Sequence, residues 1–301
     1  IKNTESNPDV LVGNYYRIVR GEALALRAYL HFDLFRLFGP AYDPNSTVKT
    51  IPYRTQFSLD VEPQLTPLNF FERLEQDLHE ADSLLADVDP VITYGVDGDP
   101  MDDFLKHRNL RMNYYAVQAL AMRVYYTMGN DEKALEYAKK IIAVQESHFP
   151  WIKPNRLTAA VPDRVFTSEV IFGLQNLQRK NLYTSLLDGS NLKLSSLLAP
   201  RTDCVKQIFE NDQVDYRYSS ALKNQVEISG TQYSIFNKYQ GESSDSLCNQ
   251  LIPMMRVSEA YLIAAELSTA TKDRLAYLNE FRNHRGIRSQ DFADDYDIKI
   301  E

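Results

Sequence analysis

Four charged side chains, Glu22, Arg27, Asp33 and Arg36, fall inside an otherwise apolar run, Gly21 to Pro40 (GEALALRAYLHFDLFRLFGP). Carboxylates beside guanidiniums in an apolar setting are the raw material of acid–base chemistry, because burial and neighbouring charge move pKa values. The same setting suits structural ion pairs, since a buried charge is costly unless it is paired. On helical spacing Arg27 neighbours His31 and Asp33 neighbours Arg36, so the run predicts local structural pairs and no catalytic set. A second group, Asp97, Asp99, Asp102 and Asp103, offers the hard oxygen ligands that calcium takes. It lacks the EF-hand register and its closing Glu, so a solvated acidic loop ahead of a helix N-terminus is the expectation, with no metal bound. The histidines (His31, His79, His107, His148, His284) are dispersed, and no HExxH, GxSxG, P-loop or GxGxxG pattern occurs. No cofactor is implied. A glycosidase needs two carboxylates facing each other across a cleft, and no spacing here selects such a pair.

The bulk properties narrow the class further. The net charge of −8 with no basic run works against nonspecific binding to nucleic acid or an anionic membrane surface. Two cysteines, Cys204 and Cys248, lie far apart without a CxxC partner, which argues against zinc and leaves open a disulfide or two free thiols. The first residues, IKNTESNPD, are polar and do not begin with Met, as in a processed or trimmed chain.

The elements that position these residues are mostly helical. Val10 to Phe38 reads as one long helix, or two joined near Arg20-Gly21, buried on nearly every side. Charges at four positions count against a membrane span. Thr66-Pro67 opens a helix to about Ala86, with Leu68, Phe71, Leu74, Leu78, Ala81 and Leu85 inward and Glu72, Glu75, Asp77 and Glu80 on a solvated face. Asn113 to Met128 and Asp131 to Val144, joined at Gly129-Asn130, form a tetratricopeptide-like pair in which small alanines allow close approach. Residues 146–253 are richer in Ser, Asn, Asp and Thr. Here EVIFGL (Glu169 to Leu174) and Gln232 to Tyr239 predict short strands, and Asn191 to Leu198 a short helix. Met255 to Leu267 and Lys272 to Arg285 return to helix, with Gly286 as the cap. The predicted fold class is mainly α: tetratricopeptide-like helical pairs form a scaffold (about 10–145 and 254–287) in a single domain, 1–301. A loop-rich insert with short strands (about 146–253) completes it.

These blocks resemble the SusD/RagB family of Bacteroidetes surface nutrient-binding lipoproteins. The likeness is carried by Glu22, Ala23, Leu26, Arg27, Ala28, Tyr29, Phe32, Asp33, Leu34, Arg36, Leu37, Phe38 and Gly39 in the first signature helix. Arg256, Glu259, Tyr261, Leu262, Ala265 and Glu266 carry the second, and Leu278, Asn279, Phe281, Arg282 and Gly286-Ile287 the helix after it. The resemblance implies a scaffold that packs against a SusC-like TonB-dependent outer-membrane transporter. It also implies a loop-built face that captures oligosaccharides, or peptides in some members, without chemistry. The protein would then sit at the cell surface, anchored to the outer membrane by a lipid on a cysteine this chain does not contain. The alternatives from other classes are a tetratricopeptide scaffold for a protein partner and a hydrolase with an unrecognised carboxylate pair.

Under that resemblance, aromatic rings with polar neighbours are the expected ligand contacts, because a ring stacks on the C–H face of a sugar at little entropic cost. Trp151, the only tryptophan, lies in HFPWIKPN. Tyr94 precedes the acidic run, and Tyr183 lies in QRKNLYTS. Each is equally placed to be a packing residue.

Overall fold

A computed structural model describes residues 10–189, 198–210, 212, 214–222, 224–241 and 246–289. The predicted helix at Asn191 to Leu198 and the acidic tail from Gln290 lie essentially outside them. The chain is mainly helical, with short two-stranded sheets, as its periodicity predicts. It divides into two compact units, Ile1–His148 and Phe149–Glu301. The loop-rich segment therefore folds with the last helix pair in a unit of its own.

In the first unit, α1 (Asn14–Phe38) is a single unbroken helix that ends where the Gly39 N–H donates to Phe35 O. It buries Ile18, Gly21, Glu22, Leu24, Ala25, Ala28, Phe32 and Phe35 against α2 (Pro67–Leu85). Gly21 permits the contact, since a Cβ there would stand 2.8 Å from Leu85 Cγ. The structure corrects the all-round burial of α1. Leu26, Leu30, Leu34, Leu37 and Phe38 form an exposed apolar stripe on its far side. The helix is two-faced, but both faces are apolar, so hydrophobicity alone does not separate them.

The partners of its charges are corrected too. Arg27 pairs across to Asp77 of α2 (Nε to Oδ2, 2.6 Å), and its backbone carbonyl, not its charge, faces His31 Nδ1. Asp77 thereby leaves the predicted solvated face: it is 4% exposed and also accepts the Tyr53 hydroxyl at 2.6 Å. Arg20 pairs with Glu80 and Arg17 with Asp87, which together lace α1 to α2 in antiparallel register. Asp33 and Arg36 remain local, exposed and 3.9 Å apart. Glu22 meets the buried Arg108 at 2.7 Å, and Arg108 also holds Asp89 at 2.9 Å. Burial pushes the Glu22 carboxyl above the usual range, against the pull of Arg108.

Ahead of α2, β1 (Ile51–Pro52) and β2 (Gln64–Leu65) pair antiparallel. The predicted hairpin is α3 (Tyr114–Thr127) and α4 (Asp131–Ala143). Asn113 and Asn130 cap the two N-termini, and Gly129 supplies the positive φ (70°) of the turn.

In the second unit, β3 (Val170–Gln175) is the predicted EVIFGL strand, with Glu169 just before it. It pairs antiparallel with β6 (Leu251–Arg256), so the first two residues of the predicted Met255 helix are strand. Between them lie α5 (Arg179–Leu186), α6 (Thr202–Ile208), α7 (Tyr216–Ala221) and the hairpin β4 (Gln225–Ile228) and β5 (Thr231–Ser234). The predicted strand at Gln232 to Tyr239 stops at Ser234, and Asn237–Tyr239 is a 3-10 turn. The last pair is α8 (Val257–Leu267) and α9 (Thr271–Asn283). Both thiols are free, Cys204 exposed and Cys248 buried.

Candidate ligand-binding surface

The three nominated aromatics occupy different surroundings. Trp151 is 8% exposed. His284 stacks on its ring at 5.1 Å and 16°, Tyr261 packs at 4.9 Å, and the Arg285 guanidinium lies 5.0 Å from the ring centroid. Its indole N–H donates to Glu280 Oε1 at 3.3 Å. Its faces and its polar edge are therefore engaged by the segments around α8 and α9. Tyr183 on α5 is 6% exposed, and its hydroxyl donates to Asn237 Oδ1 at 2.9 Å, which orients the turn after β5. Tyr94 is half exposed, at the end of a short helical turn in the first unit. Trp151 and Tyr183 are taken up by packing contacts within the second unit, and Tyr94 keeps a half-exposed ring in the first. A sequence shows that an aromatic has polar neighbours, but not whether its ring faces are already covered.

The acidic loop beyond Tyr94 is occupied with its own backbone. Asp99 Oδ1 accepts Met101 N–H at 2.9 Å and Asp102 Oδ1 accepts Phe104 N–H at 2.9 Å. Asp102 also accepts the Tyr15 hydroxyl, and Asp103 pairs with Lys106. Among the described residues no group of three or more His, Cys, Asp or Glu side chains could hold a metal ion.

Two open clefts lie in the second unit. One, about 420 Å³, is lined by Phe209, Glu210, Asp212, Asp215, Arg217 and Arg282, with Ile208 and Ile287 at its apolar side. Asp215 caps α7 through Arg217 N–H at 2.7 Å and pairs with the Arg217 side chain at 2.6 Å. Arg217 in turn lies over Phe209 at 5.6 Å and Phe281 at 5.5 Å. Burial draws the Arg282 guanidinium below its ordinary pKa. An exposed ring edge beside fixed planar donors and acceptors is suited to a polyhydroxyl ligand. The other cleft, about 340 Å³, is polar and lies between α6 and the β4–β5 turn, with Arg201, Asp203, Lys206 and Gln232 on its walls. Sequence reading missed both, because their walls come from segments separated by tens of residues and carry no spacing signature.

No family model matches the chain, and no curated protein matches it. Solved structures do. A SusD superfamily protein from Bacteroides thetaiotaomicron matches with a TM-score of 0.66 and 23% identity, over 92% of this chain and 60% of that one. A SusD-like carbohydrate binding protein from Bacteroides vulgatus matches at 0.67 and 19%, over 97% and 60%. Surface glycan-binding protein A from Bacteroides uniformis matches at 0.67 and 17%, over 99% and 65%. The chain thus spans about three-fifths of the length of these structures, and over that span it has the SusD-like fold.

Proposed function

We propose that this protein is a non-catalytic, cell-surface glycan-binding protein that passes its oligosaccharide to a SusC-like TonB-dependent outer-membrane transporter. The observation that carries the reading is the fold, shared over nine-tenths or more of the chain with proteins described as carbohydrate- or surface-glycan-binding. The Phe209–Arg217 cleft supports it, as a site with an aromatic ring beside planar polar groups. The apolar stripe of α1 supports the transporter half, since a contiguous exposed apolar face suits a protein partner. Among the described residues no helix is long and apolar enough to cross a membrane. The reading assigns attachment to the outer membrane to a lipid anchor, as the family resemblance implies.

A glycan array run beside a peptide pool tests the first half. Retention of one or more oligosaccharides without turnover is the expected result. Retention of peptides alone moves the protein to peptide capture, release of shortened sugars makes it a hydrolase, and silence on both rejects ligand capture. Co-purification from outer membranes tests the second half, where recovery free of any transporter in mild detergent rejects it.

A further inference from the structure

Among the described residues, four cationic side chains of the second unit gather around two aromatic rings with a fifth, Arg164, nearby, and of these Arg285 alone has a carboxylate at ion-pair distance. Arg285 Nη1 lies 2.9 Å from Glu169 Oε1, in a fully buried two-pronged pair. Across the Phe166 ring from that pair, the Arg256 guanidinium lies 5.8 Å from the same centroid that Arg285 approaches to 5.1 Å. Beside them, the Tyr239 ring has Arg179 Cζ and Lys238 Nζ each 5.6 Å from its centroid. Arg164 closes the group by donating to Gln240 O at 3.3 Å.

The charges here do not balance. Glu169 is taken by Arg285, and its Oε1 also accepts Ile152 N–H. Asp163 spends its oxygens on Val165 N–H, Thr167 N–H and the Thr167 hydroxyl. Glu259 is the one further acid whose charge reaches Arg256. Among the described residues the side chains of Arg256 and Lys238 have no carboxylate within ion-pair distance. Arg179 is 3% exposed, donates Nη1 to Leu251 O at 2.7 Å, and leaves its buried Nε without a partner. Burial and mutual repulsion act in the same direction: they draw Arg256 and Arg179 below their ordinary range and bring Lys238 down to about 8. Like charges sharing a poorly solvated site are unfavourable unless an anion joins them. Arg164, Lys238 and Arg256 are only partly covered, so solvent reaches the cluster.

We propose that Arg256 and Lys238, backed by the buried charge of Arg179, receive the carboxylate or sulfate group of an acidic saccharide, with the Tyr239 ring beside its sugar. A guanidinium fork can meet two oxygens of either a carboxylate or a sulfate, the ammonium adds a point charge, and the ring meets the apolar face of the pyranose. The inference rests on the glycan-binding reading and names its ligand class. Because the whole chain is acidic, selection acts at contact range and weakens with salt.

Calorimetry on the full protein decides it, with four probes: an oligogalacturonate, a chondroitin sulfate oligosaccharide, a neutral β-glucan oligosaccharide and sodium sulfate. One or both acidic saccharides bind more tightly than the neutral one. Replacing Lys238→Met or Arg256→Met costs them about tenfold or more, while circular dichroism shows both variants folded. The galacturonate and sulfated arms separate a uronate site from a sulfate-ester site. Binding of neutral glycans alone overturns this inference and leaves the glycan-binding reading standing, whereas silence on every saccharide rejects both. Sulfate binding as tightly as the sulfated saccharide reduces the cluster to an ion site and overturns the proposal. Should Arg256→Met fail to fold, Lys238→Met still decides the outcome.

Discussion

Arg27 of α1 and Asp77 of α2 form a two-pronged ion pair, with Nε to Oδ2 at 2.6 Å, and Tyr53 donates to the same carboxylate oxygen. Both side chains are largely withdrawn from water. Removing one partner strands the other charge and the Tyr53 hydroxyl, so Asp77→Ala is expected to cost about 3–5 kcal/mol. Urea unfolding measures it, and a loss below 1 kcal/mol would show that the pair contributes little to holding α1 on α2.

Glu169 and Arg285 offer the same test in the second unit, with a different expected pattern. Glu169→Gln leaves Arg285 charged and buried, and destabilises by about 3 kcal/mol. Replacing both partners by Met removes the desolvation cost together with the attraction, so the double variant is more stable than either single one. Thermal unfolding of the three variants checks this order.

Gly21 lies where α1 touches Leu85. Gly21→Ala gains helix propensity but forces the helices apart, for a net loss of about 1–3 kcal/mol. Adding Leu85→Ala relieves the clash, so the double variant recovers part of that loss. Strict additivity would rule out the close contact as the cause.

Trp151 and Tyr94 separate packing from binding. Trp151→Ala opens a cavity among Tyr261, His284 and Arg285 and costs about 3–5 kcal/mol. Tyr94→Ala, on a half-exposed side chain, leaves the melting temperature within a degree or two and is expected to weaken glycan retention. Affinity electrophoresis beside a melting curve reads both. Unchanged retention in Tyr94→Ala removes that residue from the ligand surface.

Lys238 sets a pH dependence. Its folded pKa, about 8, lies below the unfolded value, so the folded state releases its proton first. Carrying the charge in the folded state costs stability below pH 8, and that cost is relieved as pH rises from about 8 towards the unfolded value of ~10.4. Wild type therefore gains stability relative to Lys238→Met across that window. An anionic ligand favours the ammonium form, so its affinity is flat below about pH 7 and falls by up to tenfold per unit above pH 8. Calorimetry at pH 6, 7, 8 and 9 follows this.

The sequence by itself determined the elements. α1, the α3–α4 hairpin, β3 and the α8–α9 pair are each written in periods, caps and breakers that act within a few residues. It also determined that the charges of α1 are structural, because an apolar helix has no cheaper use for them. Tertiary structure alone decided which partner each charge takes. Arg27 finds Asp77 fifty positions away, and Arg285 finds Glu169 across 116. Helical spacing reports which face a residue occupies, not which segment packs against that face. The same limit hid the second, exposed face of α1, which is as apolar as the buried one. It hid the Phe209–Arg217 cleft as well. The gathering of Arg179, Lys238 and Arg256 follows from it too: three cations scattered through an acidic chain become a cluster only when β6, α5 and the turn after β5 bring them beside the Phe166 and Tyr239 rings.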